Sequence, residues 1–196
     1  MKLFLIVIII VAIIGAYFLP QVTLGGVIEK QTELIEIPIK VHVITDTSGY
    51  YTSARDQENI EELFKRANEI LSQADIQLNI DEIVSTDVRF DAIPNTINGN
   101  YDEIVSHEKY DKEKINLILT QSLNGINGLA LLEINSFLVS DFTTVNDYRT
   151  IAYEVGHLLG LRHVSPSSSL MARGRNGEIL TKIEIETIRE NALKFS

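Results

Sequence analysis

At 196 residues, 45% of them hydrophobic, the chain has the size and apolar content of one ordinary domain with appendages, which argues against wholesale disorder. Seventeen Lys and Arg against 27 Asp and Glu leave a formal charge of −10, which repels phosphate backbones, so nucleic acid is not expected as a partner. There is no cysteine, which excludes disulfides, thiolate metal ligands and a thiol-based latency switch; any metal must be held by His, carboxylate, phenolate or water.

Residues 3–19 carry no charge and follow Lys2, a length at the short end for a membrane-spanning helix. The same run can be read as a secretory signal peptide cleaved after the small residues Gly15 and Ala16. An uncleaved anchor is the expectation, because the apolar run continues through Tyr17, Phe18 and Leu19 past that point. A positive start and an acidic body then leave the amino terminus in the cytoplasm and the rest outside, with secretion after cleavage as the alternative. Residues 20–33, with Pro20 and the pair Gly25 and Gly26, read as a linker, and residues 34–196 as one folded domain, expected to be a monomer.

In the domain, Ile35, Ile37, Ile39, Val41 and Val43 alternate with more polar positions, the period-2 pattern of a strand with one buried face. Pro38 suggests an edge or strand-start position. His42 falls on the more polar face and reads as a solvated or sheet-surface histidine. Residues 54–74 place Ile60, Leu63, Phe64, Ala67, Ile70 and Leu71 at helical spacing, and residues 76–83 alternate again with one irregular step. The polar stretch 87–100 reads as a connection, and residues 101–107 as a short surface helix ending in His107. Residues 115–119 suit a central strand. After a loop with two Asn-Gly pairs, residues 129–132 and 137–139 read as short strands. At the carboxy terminus, Thr181 and Glu184 form a capping box opening a helix, with Ile183, Ile185, Ile188, Ala192 and Leu193 as its apolar face. This order implies an α+β domain, α/β-like in its upper half, with helices packed on a mixed sheet.

The stretch Thr150-Ile-Ala-Tyr-Glu-Val-Gly-His-Leu-Leu-Gly-Leu-Arg-His163 carries the chemistry. On a helix, Ile151, Val155, Leu158 and Leu159 form a core-facing stripe, and Tyr153 and His157 share another. Gly160 is where the helix should stop, and His163 follows the bend. Met171 comes eight positions after His163. Glu-x-x-His-x-x-Gly-x-x-His followed by a methionine resembles the metzincin metallopeptidases, and the seven-residue gap before Met171 is most similar to their matrixin branch.

That resemblance spans roughly residues 34–195 and implies a twisted mixed sheet with an active-site helix and a closing carboxy-terminal helix. It further implies one catalytic zinc ion held by His157 and His163, Glu154 as general base, and Met171 as the apolar floor beneath the metal. Gly128, Leu129, Ala130 and Leu131 would form an edge strand that binds a peptide or protein substrate. In the pattern, the first ligand is a histidine, and here it is Tyr153. A phenol must lose its proton before it can bind zinc, and its oxygen lies farther from the backbone than an imidazole nitrogen. Two readings therefore stand side by side. One is a zinc peptidase in which Tyr153, as phenolate, is the third ligand. The other is a pseudopeptidase that binds peptides or a protein partner through the retained groove without cleaving them.

Overall fold

The computed structural model describes residues 33–196. The segment expected as a signal anchor, residues 1–19, lies outside the described residues, as does the linker up to residue 32. Among the described residues, no helix is long and apolar enough to cross a membrane.

Five strands form one sheet in the order β2-β1-β3-β5-β4. The strands are β1 (Ile35–Asp46), β2 (Ile76–Val88), β3 (Ile115–Thr120), β4 (Gly128–Leu131) and β5 (Ser136–Ser140). The pairs β1 with β2, β1 with β3 and β3 with β5 are parallel, and β4 runs antiparallel to β5 at the open edge. The fold is therefore a mixed sheet with packed helices, as the sequence pattern implied. The irregular step in the second strand is a bulge: Ile39 faces Ile80 and Lys40 faces Glu82, leaving Asp81 unpaired in the register. The ladder then continues to Val88, beyond the expected end at residue 83, because backbone pairing with β1 persists where the side-chain alternation has stopped.

Pro38 lies inside a strand with neighbours on both sides rather than at an edge. It is tolerated because pairing with β3 starts only at Ile39, so one flank of the backbone at Pro38 is still open.

One sheet face is covered by α1 (Gln57–Leu71) and α4 (Asp147–Leu158), which pack on each other and on the strands. The core there joins Ile37, Ile39, Val41, Leu117, Phe137 and Val139 to Phe64, Leu71, Ile151 and Val155. Asp56 caps α1 by accepting from the Asn59 amide at 2.9 Å. The opposite face is covered by α2 (Ala92–Ile97), α3 (Asp102–Val105) and the segment that follows, with Ile93 and Ile104 packed on Ile44, Ile118 and Leu138. The stretch expected to be only a connection thus contains a helical turn around Pro94.

That cover corrects the reading of His42, which is buried at 3% exposure. One ring nitrogen bonds Thr86 Oγ1 at 2.9 Å and the other Asn116 Oδ1 at 3.0 Å, and the Tyr110 ring stacks at a centroid distance of 6.3 Å. The face is polar, yet it is sealed by a segment with no apolar periodicity of its own. His107 lies just past α3 and is half-buried.

The last helix, α5 (Lys182–Ala192), opens with the capping box: Thr181 Oγ1 accepts from the Glu184 amide and the Glu184 carboxylate accepts from the Thr181 amide. Of its expected apolar face, Ile188 and Ala192 are buried, while Ile183 and Leu193 are exposed.

Candidate active site

The sheet delivers α4 with one face in the core and the other along a cleft of about 1050 Å³. Ile151, Ala152, Val155 and Leu159 are buried, and Tyr153 and His157 border the cleft one turn apart. The helix ends in a Schellman turn. The Gly160 amide donates to the His157 carbonyl at 3.0 Å and the Leu161 amide to Gly156 at 2.9 Å, with Gly160 at φ +91°. Only glycine adopts that conformation without strain. Asn191 of α5 donates to the Leu159 carbonyl at 3.1 Å, so the last helix caps the end of the site helix.

The reversal at Gly160 brings His163 back over α4. The rings of Tyr153 and His157 lie 4.6 Å apart between centroids, those of His157 and His163 4.8 Å, and those of Tyr153 and His163 5.9 Å. His157 Nδ1 bonds the Leu161 carbonyl at 2.9 Å, which makes Nδ1 the donor and leaves Nε2 as an acceptor. Burial, helped by the neighbouring His163, holds the His157 imidazole below its ordinary pKa and so neutral. Burial pushes the Tyr153 phenol above its ordinary value. The Glu154 charge adds to this, while the guanidinium groups of Arg149 and Arg173 oppose it.

Met171 is wholly buried beneath this group. A Cβ on Gly156 would lie 2.9 Å from the Met171 sulfur, so glycine at 156 is what lets the methionine pack against the helix. The turn carrying Met171 is held by Arg149, a residue with no place in the sequence reading. Its buried guanidinium donates to the carbonyls of Leu170, Ala172 at 2.8 Å and Gly177 at 2.9 Å. Its Cζ also lies 4.9 Å from the centre of the Tyr153 ring. The signal available in sequence was position alone, since Arg149 stands four residues before Tyr153 on the same helical face.

Glu154 is 4% exposed, and burial pushes its pKa up to about 8, with the Ala130 amide and Arg149 pulling the other way. Its carboxyl lies against β4, where a Cβ on Gly128 would meet Glu154 Oε1 and Thr150 Cγ2, each at 2.7 Å. The structure thus brings Tyr153, His157, His163, Glu154, Met171 and the edge strand from Gly128 to Leu131 into one region. It adds Arg149, Gly156, Thr150 and the cleft residues Arg162 and Arg173.

Two imidazoles and a phenol converging above a methionine form a donor set that zinc accepts, borderline nitrogen and oxygen ligands with no thiolate. Among the described residues, no cluster of three His, Asp or Glu side chains offers an alternative metal site.

No family model and no curated protein matches the chain. Among solved structures, the archaemetzincin of Methanopyrus kandleri aligns with a TM-score of 0.55 at 13% identity, over 81% of this chain and 95% of that one. Metalloproteinase-II of Bacteroides fragilis aligns at 0.49 and 13% identity, over 82% and 55% of the two chains. A zinc-dependent peptidase of Methanocorpusculum labreanum aligns at 0.43 and 14% identity, over 76% and 99%. The likeness to the archaemetzincin shows a metallopeptidase-like fold in this chain.

Proposed function

We propose that the chain is a zinc-dependent metallopeptidase of the metzincin kind, with His157, His163 and Tyr153 as the residues that would hold a single zinc ion. The observation that carries this reading is the convergence of those three rings, with Glu154 beside them and against an open strand edge. The seven-residue gap between His163 and Met171 favours a matrixin-like branch. Zinc, when bound, supplies Lewis acidity, polarising a carbonyl and making water acidic enough to attack at neutral pH.

The chain's own residues supply the rest. β4 is the last strand of the sheet, so its free side can take an extended peptide by strand addition, backbone to backbone. Gly128 brings that strand against α4, so a peptide bond lying along it is adjacent to Glu154. Glu154 accepts the proton of the attacking water and returns it to the leaving nitrogen. Burial raises the basicity of the Glu154 carboxylate, which favours its taking the water's proton and holding it until the nitrogen leaves. The Leu161 carbonyl fixes the His157 tautomer, and Arg149 fixes the turn beneath. Export through the apolar run of residues 1–19, as an uncleaved single-pass anchor or by secretion, belongs to the same proposal.

One observation favours the second reading, a pseudopeptidase. The Tyr153 phenol is pushed above its ordinary pKa, which opposes the phenolate that zinc requires. Metal content separates the two. The full chain and a Tyr153→His variant are incubated with zinc, desalted and measured by elemental mass spectrometry, followed by peptide-library cleavage with a Glu154→Gln control. Stoichiometric zinc and Glu154-dependent cleavage in the natural chain support the peptidase. Zinc in the variant alone supports the pseudopeptidase.

A further inference from the structure

Three guanidinium groups line the cleft, those of Arg149, Arg162 and Arg173, against the single carboxylate of Glu154. Arg149 is buried and engaged with three carbonyls. Arg162 and Arg173 are exposed, and neither has an ion pair or a side-chain hydrogen bond among the described residues. Most other described arginines are engaged. Arg55 holds Asp141 and Asp147, Arg89 holds Glu103, Arg189 holds Asp75, and Arg66 lies over the Tyr148 ring.

In a chain with 27 acidic residues against 17 basic ones, an unpartnered cation is the less expected outcome, and here two border one cleft. They reach it from two segments joined to each other. Arg162 precedes His163, Arg173 follows Met171, and the Val164 amide donates to the Met171 carbonyl at 3.2 Å. The loop and edge strand on the other side of the cleft contribute Ile126, Leu129 and Leu132, which carry no charge.

We infer that this cleft selects peptides bearing a carboxylate beside the scissile bond, held by Arg162 and Arg173, with an apolar residue along the β4 edge. This rests on the peptidase reading of the same cleft. The net charge of −10 opposes an acidic peptide only at long range. At physiological salt, charges beyond about 8 Å are screened, and the two local guanidinium groups decide. Each exposed guanidinium–carboxylate pair discriminates by up to about fivefold, so the two together reach about tenfold over a neutral amide of the same shape. The carboxylate can belong to an Asp or Glu side chain or to the peptide's own carboxy terminus.

The test uses the full chain with its zinc content measured, and fluorescein-labelled ten-residue peptides that differ only in a central Glu, Gln or Lys, each with a free or amidated carboxy terminus. Cleavage is followed by mass spectrometry. Binding is followed in parallel by fluorescence anisotropy on the Glu154→Gln variant. The expected result is a Glu-over-Gln preference of about tenfold, which inverts in favour of Lys when Arg162→Glu and Arg173→Glu are combined and survives when both become Lys. A preference that follows the free terminus instead assigns the carboxylate to the chain end. Equal handling of Glu and Gln together with equal handling of free and amidated termini, or a preference that survives charge reversal, overturns the inference and leaves the peptidase standing. If nothing is cleaved, the peptidase reading falls and anisotropy decides: acidic-peptide binding lost on charge reversal upholds carboxylate capture by Arg162 and Arg173 without a scissile bond, and no binding to any peptide overturns the inference too.

Discussion

Gly128 on the edge strand and Glu154 on the site helix are in such close approach that a methyl group on Gly128 would lie 2.7 Å from Glu154 Oε1. No real Cβ makes such a contact, so Gly128→Ala must displace either the strand or the carboxyl. The expected outcome is a fall in peptidase kcat/KM of at least about tenfold, since small misplacements of catalytic groups cost one to two orders of magnitude. Zinc content should be unchanged, because the atoms nearest a methyl group there belong to Glu154 and Thr150 and not to the three converging rings. Steady-state kinetics beside elemental analysis checks this, and undiminished activity in the Gly128→Ala variant would refute the placement of Glu154.

Burying Glu154 costs stability at alkaline pH. Its pKa rises from an ordinary 4.5 to about 8 in the folded state, so the unfolded chain gives up this proton first as pH rises. The folded state is therefore unpenalised below pH 4.5, loses stability progressively between 4.5 and about 8, and bears the full cost above. Glu154→Gln, in zinc-free protein, should stabilise by a few kcal/mol at pH 8.5 and by little at pH 4.5. Urea denaturation at the two values measures it. A pH-independent difference would mean that the carboxyl is better solvated than its 4% exposure implies.

How much of this was legible depended on whether a residue's role follows from periodicity. The alternation of Ile35 through Val43 and the helical spacing of Ile60 through Leu71 reported their elements, because burial on one face imposes the period. The irregular step after Ile80 even located the bulge at Asp81. The motif placed His157, Gly160 and His163 together for the same reason, since helix geometry and a Schellman stop are local. Arg149 was illegible because a charged residue on a helix reads as solvated. Only the tertiary return of the Met171 turn shows that it is spent on carbonyls. Gly156 was illegible because its reason is a sulfur arriving from fifteen residues downstream.

Arg149 predicts its own variant. Replacing it with Met removes the donors to the Leu170, Ala172 and Gly177 carbonyls and leaves them buried without partners. The expected cost is about 3 kcal/mol or more, since each buried carbonyl left without a partner costs about 1–3 kcal/mol. Zinc occupancy should fall with it, because the turn that seats Met171 loosens. Thermal denaturation and elemental analysis check both, and a loss below about 0.5 kcal/mol, the scale of ordinary surface substitutions, would sink the account.

His42 supplies the acid limb of stability. Burial holds its pKa below the ordinary 6.5, with the positive charges of Lys40 and His107 adding to that, while the bond to Asn116 and the charge of Glu82 oppose it. The neutral ring accepts from Thr86 at one nitrogen and donates to Asn116 at the other, and Asn116 Nδ2 in turn donates to the carbonyls of Asp111 and Lys114. Protonation therefore has no acceptor waiting at the Thr86 side other than a hydroxyl that must turn round. Because the unfolded chain takes up this proton first, stability is fully present above pH 6.5 and is lost as pH falls toward the lowered folded value, by at most about 1.4 kcal/mol per pH unit. His42→Gln should cost stability at pH 7.5 yet flatten the slope between pH 6.5 and 5, so the readout is the slope and not the absolute value. Equilibrium unfolding across that range measures it, and an unchanged slope would assign the acid limb to other groups.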